Sequence, residues 1–301
     1  MRKPLLGAIA AAGFAFCTSV FAQSTSSPME GQTMLPTPSQ SGYAPVNGVE
    51  VYYAIYGAGE PLILLHGGLE TTEMFGPVLT ALAEGRQVIG VELQAHGHTL
   101  PFDRPMSWEA LATDVAELIG YLGHERADVM GYSLGAGVAL RMAIDHPEVV
   151  DKLVAVSTPY AFSGWHDYNR EGMQSIGPEL AEGMMQSPMY ESYVRAAPDP
   201  DNFPRLLEQM GPFIGKDYDW SSEIGDIEAP TLLVYADYDS VKIAHAAAFF
   251  ELLGGGQADG GWAGEGMTPN RFAVIPSATH YSIGSDPRLA ETAIGFLDAE
   301  N

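Results

Sequence analysis

Two hydrophobic periods alternate along the chain. Short apolar runs of strand length are separated by longer stretches whose apolar residues repeat every three to four positions. Tyr43-Ala44-Pro45-Val46 and Val49-Glu50-Val51-Tyr52-Tyr53-Ala54 flank Asn47-Gly48, the sequence of a type I′ hairpin. Pro61 to Leu65 is continuously apolar and ends at His66-Gly67-Gly68, which predicts a central strand buried on both faces. Thr72 to Glu84 predicts a helix, Gln87 to Leu93 a strand, and Trp108 to Leu122 a helix whose first turn Ser107 can cap. A strand at Ala127 to Met130 leads through Gly131-Tyr132-Ser133-Leu134-Gly135 into a helix over Ala136 to Ile144, and a strand follows at Lys152 to Ser157.

This alternation predicts an α/β fold, a mostly parallel sheet of eight strands covered by helices on both faces. It breaks after Thr158. Residues 159–228 are rich in Pro, Gly, Met and aromatics and read as short helices inserted on top of the sheet, a helical cap. It resumes with a strand at Thr231 to Ala236, a helix at Ser240 to Leu253, a strand at Arg271 to Ile275 and a closing helix at Pro287 to Asp298. The core is thus expected to comprise residues 42–158 and 229–301. Gly254 to Asn270 is a long Gly-rich connection from a helix to a strand, which places it at the N-terminal edge of a parallel sheet, as a mobile surface loop away from the ligand-binding edge.

The first residues change the expected location of the protein. Arg2 and Lys3, the apolar run Leu5 to Phe21 and the small-x-Ala pattern Val20-Phe21-Ala22 predict a signal peptide over residues 1–22, and hence a periplasmic or secreted protein with no stable membrane anchor after cleavage. Residues 23–41, rich in Ser, Thr, Pro and Gln, predict a disordered tether. The sole cysteine, Cys17, would leave with the signal peptide, so the mature chain would have neither disulfides nor cysteine chemistry.

Charge excludes one class of partner. With 14 Lys+Arg against 38 Asp+Glu, a formal net charge of −24, the chain has no basic stripe to neutralise phosphates, which argues against nucleic acid. A small molecule is the expected partner. Oligomeric state has no sequence signal.

The candidate chemistry centres on Ser133. In Gly-x-Ser-x-Gly between a strand and a helix, the serine occupies a sharp turn that lifts its hydroxyl clear of the sheet. Such a hydroxyl needs a base, and the base a carboxylate. His280 follows the last predicted strand, where it can reach the carboxyl edge of the sheet. His66 and His96 also follow strands, but each precedes a glycine and is expected to organise its turn. For the acid, Asp237 and Asp239 both follow the strand at Thr231, and Asp239 is preferred because Asp237 suits a turn bonded to its own backbone. The Leu134 N–H is one expected oxyanion donor, and Gly68, or failing it Leu69, the other. No cluster has metal-ligand spacing, so no metal and no cofactor are expected.

These stretches together resemble the α/β-hydrolase superfamily, in the group with a helical cap after the sixth strand, over roughly Tyr43 to Leu297. His66-Gly67-Gly68 matches its oxyanion turn, Glu92-Leu93-Gln94-Ala95-His96-Gly97-His98-Thr99 is similar to its Asp-x-x-Gly-x-Gly-x-Ser turn, and His146-Pro147-Glu148-Val149-Val150 is similar to the end of its post-elbow helix. The resemblance selects Asp239 as acid and His280 as base. Glu92 and Ala95 depart from the usual Asp and Gly, and Ala236 and Ser277 from usual glycines. Epoxide hydrolases and haloalkane dehalogenases of this fold use an aspartate nucleophile, so Ser133 implies another chemistry. Hydrolysis of a carboxylic ester or lactone of a small, mainly apolar substrate is favoured over C–C or amide hydrolysis and over non-catalytic ligand binding. Leu69, Trp165, Met185 and Tyr190 are the substrate-contact candidates, with His166 beside Trp165 at the cap entrance, and Met184, Met189, Tyr193, Phe203, Met210 and Phe213 offer further apolar cap surface.

Overall fold

Strand signals in the sequence resolve into one eight-stranded sheet in a computed structural model, which describes residues 35–299. The expected signal peptide and residues 23–34 of the expected tether lie outside the described residues. The strands are β1 (Gln40–Val46), β2 (Val49–Tyr56), β3 (Glu60–Leu65), β4 (Arg86–Glu92), β5 (Ala127–Tyr132), β6 (Val150–Val156), β7 (Thr231–Tyr238) and β8 (Arg271–Thr279). They lie in the order β1-β2-β4-β3-β5-β6-β7-β8. β1 and β2 form an antiparallel hairpin, β2 runs antiparallel to β4, and the pairings from β4 to β8 are parallel. At the hairpin tip Asn47 (φ 45°) and Gly48 (φ 76°) are both left-handed, as a type I′ turn demands.

In chain order the helices are α1 (Pro77–Ala83), α2 (Trp108–Tyr121), α3 (Leu134–Asp145), α4 (Asp167–Gln174), α5 (Ala181–Met184), α6 (Pro188–Ala196), α7 (Phe203–Ile214), α8 (Ile243–Leu252), α9 (His280–Ile283) and α10 (Pro287–Leu297). Two apolar clusters use the two faces of the sheet. One joins it to α2, α3, α8 and the cap, the other to α1 and α10. Leu62 to Leu65 are fully buried between them, which is why that run carries no polar position.

Several boundaries differ from the sequence reading. β1 begins at Gln40, two residues before the expected start of order, because the Ser39 N–H and hydroxyl both bond the Ile55 carbonyl and Gln40 pairs with Ile55. The helix expected over Thr72 to Glu84 is broken at Gly76 (φ 52°) into a 3₁₀ turn, Thr72–Phe75, and α1, because Pro77 disfavours helical geometry in the residue before it. The helix expected from Ser240 starts at Ile243, since the preceding segment is extended and bridges Val241 to Trp165. β7 and β8 run past Ala236 and Ile275, and Asp237 explains part of this. Its carboxylate accepts the Ser277 and Ala278 N–H groups at 2.9 and 3.0 Å, so it ties the two strands as well as the backbone of its own turn.

The cap comprises α4 to α7 between β6 and β7. Its two stems pair with each other: Phe162 N–H donates to Tyr218 O at 2.9 Å and Trp220 N–H to Tyr160 O at 3.0 Å. The incoming stem then meets the segment just past β7, where His166 N–H bonds Ser240 O and Lys242 N–H bonds Gly164 O. The Gly-rich connection, residues 254–270, leads into the start of β8 at Arg271, the opposite end of the strand from His280.

Candidate active site

Ser133 stands between β5 and α3 with φ 51° and ψ −112°, a conformation that costs a serine about 1–3 kcal/mol. The flanking glycines make room for it. A Cβ on Gly135 would lie 2.4 Å from the Leu65 carbonyl oxygen, and one on Gly131 would lie 2.3 Å from Gly135 O, so neither position admits a side chain. The Ser133 N–H is held by Val156 O at 2.9 Å and its carbonyl by the Gly137 N–H at 3.0 Å.

The structure brings Ser133, His280 and Asp239 together. Ser133 Oγ lies 3.1 Å from His280 Nε2, and His280 Nδ1 lies 2.9 Å from Asp239 Oδ1. A carboxylate only accepts, so Nδ1 carries the ring proton and Nε2 presents a lone pair to the serine hydroxyl. Asp239 Oδ2 also accepts from Ser157 Oγ at 2.5 Å and the Ala236 N–H at 3.0 Å, and Oδ1 accepts the Val241 N–H at 3.1 Å. Burial alone would raise the Asp239 carboxyl, but the adjacent His280 and these donors outweigh it and hold the carboxyl below its usual range. His280 opens α9 directly after β8, its carbonyl accepting the Tyr132 hydroxyl at 2.6 Å.

The two expected oxyanion donors are neighbours, a Cβ on Gly68 lying 3.8 Å from Leu134 Cβ. Leu134 is the first residue of α3, and among the described residues neither its N–H nor that of Gly68 forms a hydrogen bond. The alternative donor, Leu69 N–H, is engaged by His96 Nε2 at 3.2 Å. Gly68 lies beneath α7, where a Cβ on it would sit 3.7 Å from Met210 Cε and 3.8 Å from Ile214 Cδ1.

The other substrate-contact candidates divide. Trp165 is buried with its ring edge-on to His280, centroids 5.5 Å apart. Leu69 is buried in the oxyanion turn. Tyr190 packs within the cap against Phe203, at 5.0 Å. Met185 is 53% exposed just past α5 and is not brought to the apolar cluster that Met184 and Met189 join. Met185 continues the helical backbone past α5 on its exposed side, with Glu182 one turn earlier exposed as well.

Sequence reasoning passed over four participants. Ser157 lies one residue before the loop that lacks a carboxylate, and its signal was a hydroxyl at a strand end facing the acid loop. Tyr132 is the variable position of the elbow motif. Thr71 in the loop after β3 bonds Ser192 of α6, hydroxyl to hydroxyl at 2.9 Å, with both residues buried. Glu70 lies beside Gly67 and Tyr132, and burial pushes its carboxyl up to about 7 against the opposing Gly67 N–H. None of these carries a motif of its own.

Among the described residues no group of three or more His, Cys, Asp or Glu could hold a metal ion, and no helix is long and apolar enough to cross a membrane.

Comparison with known proteins points one way. Residues 60–185 match the family model described as alpha/beta hydrolase fold. The chain is 31% identical over 279 residues to the pimeloyl-(acyl-carrier protein) methyl ester esterase of Pectobacterium carotovorum subsp. carotovorum (strain PC1), covering 83% of this chain and 99% of that one. It is 35% identical over 113 residues to the soluble epoxide hydrolase of Corynebacterium sp. (strain C12), covering 36% of this chain and 38% of that relative, so it spans little more than a third of the relative's length. Among solved structures, the carboxylesterase CesB from Bacillus subtilis superposes with a TM-score of 0.69 at 20% identity, over 89% of this chain and 94% of that one. The strand order, the elbow and a full-length relative at this identity agree: the chain belongs to the α/β-hydrolase superfamily.

Proposed function

We propose that this protein is an exported serine esterase acting on a small, mainly apolar carboxylic ester or lactone. The observation that carries the reading is the unbroken relay from Ser133 Oγ to His280 Nε2 at 3.1 Å and from His280 Nδ1 to Asp239 Oδ1 at 2.9 Å. Ser133 Oγ attacks the carbonyl carbon as its proton passes to His280 Nε2, and the oxyanion is taken up by the Gly68 and Leu134 N–H groups. Collapse breaks the C–O bond to the leaving alkoxide, which receives the proton from His280. Water, deprotonated by His280, then attacks the acyl carbon and releases the acid and Ser133. Asp239 stabilises the imidazolium in both halves.

A serine rather than a carboxylate at position 133 favours this over the chemistry of the epoxide hydrolase relative. Met210 and Ile214 above Gly68 suit an apolar acyl or alcohol group. Export rests on the expected signal peptide, and N-terminal sequencing of periplasmic or secreted protein should begin at Gln23.

The test compares wild type with Ser133→Ala on a panel of p-nitrophenyl esters. Wild type should hydrolyse short and medium esters and the variant should lose at least about 10⁴-fold in kcat/KM. Equal rates would sink the assignment of the nucleophile.

A further inference from the structure

Two buried histidines outside the relay cross-brace the oxyanion turn. His66, in the turn after β3, accepts the Leu93 N–H on Nε2 at 3.1 Å, and its Nδ1–H donates to Gly67 O at 2.7 Å. His96, in the turn after β4, accepts the Leu69 N–H on Nε2 at 3.2 Å, and its Nδ1–H donates to Gln94 O at 2.9 Å. Each turn thus lends an imidazole acceptor to a backbone N–H of the other. The rings lie 4.8 Å apart and both residues are buried. The carbonyls can only accept, so both rings carry their proton on Nδ1, and a second proton on Nε2 would set a donor against a donor. Burial, joined for His66 by the nearby His96, keeps the rings neutral, lowering His66 to about 3 and His96 to about 4.

The exchange bears on which amide meets the substrate. Leu69 adopts φ 63°, a left-handed conformation rare for a leucine, and its N–H ends on His96. Gly68 N–H, one residue earlier and beside Leu134, has no such partner among the described residues.

We propose that His96, braced by His66, is a positioning residue of the oxyanion site: by accepting the Leu69 N–H it fixes the turn so that the Gly68 N–H, and not that of Leu69, receives the substrate oxygen. The proposal rests on Ser133 being the nucleophile.

The experiment uses the whole chain and phenylboronic acid, whose boron accepts Ser133 Oγ to give a tetrahedral anion while the serine proton passes to His280. In amide NMR spectra of wild type, the Gly68 and Leu134 N–H signals should move downfield on adduct formation while Leu69 stays in place. Movement of Leu69 in place of Gly68 overturns the proposal. In kinetics on a p-nitrophenyl ester, His96→Phe, which keeps a ring and removes the acceptor, should lower kcat by about 10²–10³-fold with KM little changed. His96→Gln, which restores an acceptor oxygen, should recover at least about tenfold of that loss. An unchanged kcat in His96→Phe also overturns the proposal, and if that variant fails to fold, the wild-type spectra decide. Fluorophosphonate labelling separates the two readings. Loss of labelling in Ser133→Ala alone secures the nucleophile, whereas a wild type that is never labelled removes the esterase reading and this proposal together.

Discussion

Ser157 Oγ donates a 2.5 Å hydrogen bond to Asp239 Oδ2 from the end of β6, in a backbone conformation (φ 55°) that serine rarely adopts. A hydrogen bond to a charged acceptor contributes about 1.5–3 kcal/mol. Ser157→Ala should therefore lower kcat/KM for ester hydrolysis by about 10- to 100-fold while leaving Ser133 reactive to fluorophosphonate. The carboxyl of Asp239 is held low, so its stabilising share is present at neutral pH and is lost as pH falls through the carboxylate range. Losing the serine bond should move that loss to higher pH, which acid unfolding of the variant would register.

The buried histidines predict a second acid dependence. In the unfolded chain their reference value is 6.5, against about 3 for His66 and about 4 for His96 in the fold. Between these values the unfolded chain binds protons that the folded chain does not, so stability falls as pH drops below about 6.5, by up to about 1.4 kcal/mol per proton per pH unit. Glu70 works the other way over part of the range, because its folded value is raised from 4.5 to about 7. Comparing wild type with His96→Gln isolates one histidine. Urea midpoints at pH 7 and pH 5 should differ less in the variant, and equal differences would contradict the burial of a neutral His96.

Two departures from the family pattern sit at left-handed positions. Ala95 has φ 64° and Ser277 φ 56°. That conformation costs an L-residue about 1–2 kcal/mol, partly offset by the greater freedom of glycine in the unfolded chain. Ser277 is exposed, so Ser277→Gly should stabilise by about 0.5–1 kcal/mol. Ala95 is fully buried, and loss of its methyl, about 0.8 kcal/mol, should leave Ala95→Gly near neutral. Thermal unfolding of the two variants should show the contrast.

Thr71 and Ser192 predict a non-additive pair. Either Thr71→Val or Ser192→Ala alone leaves a buried hydroxyl without its partner, at a cost of about 1–3 kcal/mol. The double variant should cost less than the sum, because neither polar group remains. Additive losses in a double-mutant cycle would mean that the bond does not couple the loop after β3 to α6.

What was legible in the sequence was what is local. The hairpin, the strand runs, the Ser107 cap and the elbow each announce themselves within a few residues, and the sheet then carries Ser133, Asp239 and His280 to one edge. The contacts that support them are long-range. Ser157 meets Asp239 only because β6 neighbours β7, and His66 and His96 exchange partners only because β3 neighbours β4. Asp237 shows the same limit. Its spacing suits a local turn, yet its carboxylate ties β7 to β8 as well. In the cap, where short helices carry little periodic signal, nothing in the sequence separates exposed Met185 from half-buried Met184 beside it.

The pairing of the two cap stems has a consequence for how such a protein can vary. Tyr160 to Phe162 and Tyr218 to Trp220 hold each other by backbone bonds, so everything between them is a closed loop whose ends already meet on the core. Lengthening a loop adds only a slowly growing closure entropy, about 0.6 kcal/mol for each doubling. The segment between the stems is therefore a detachable cassette: it can be exchanged for one of another length and lining while the sheet below keeps its hydroxyl, imidazole and carboxylate in register.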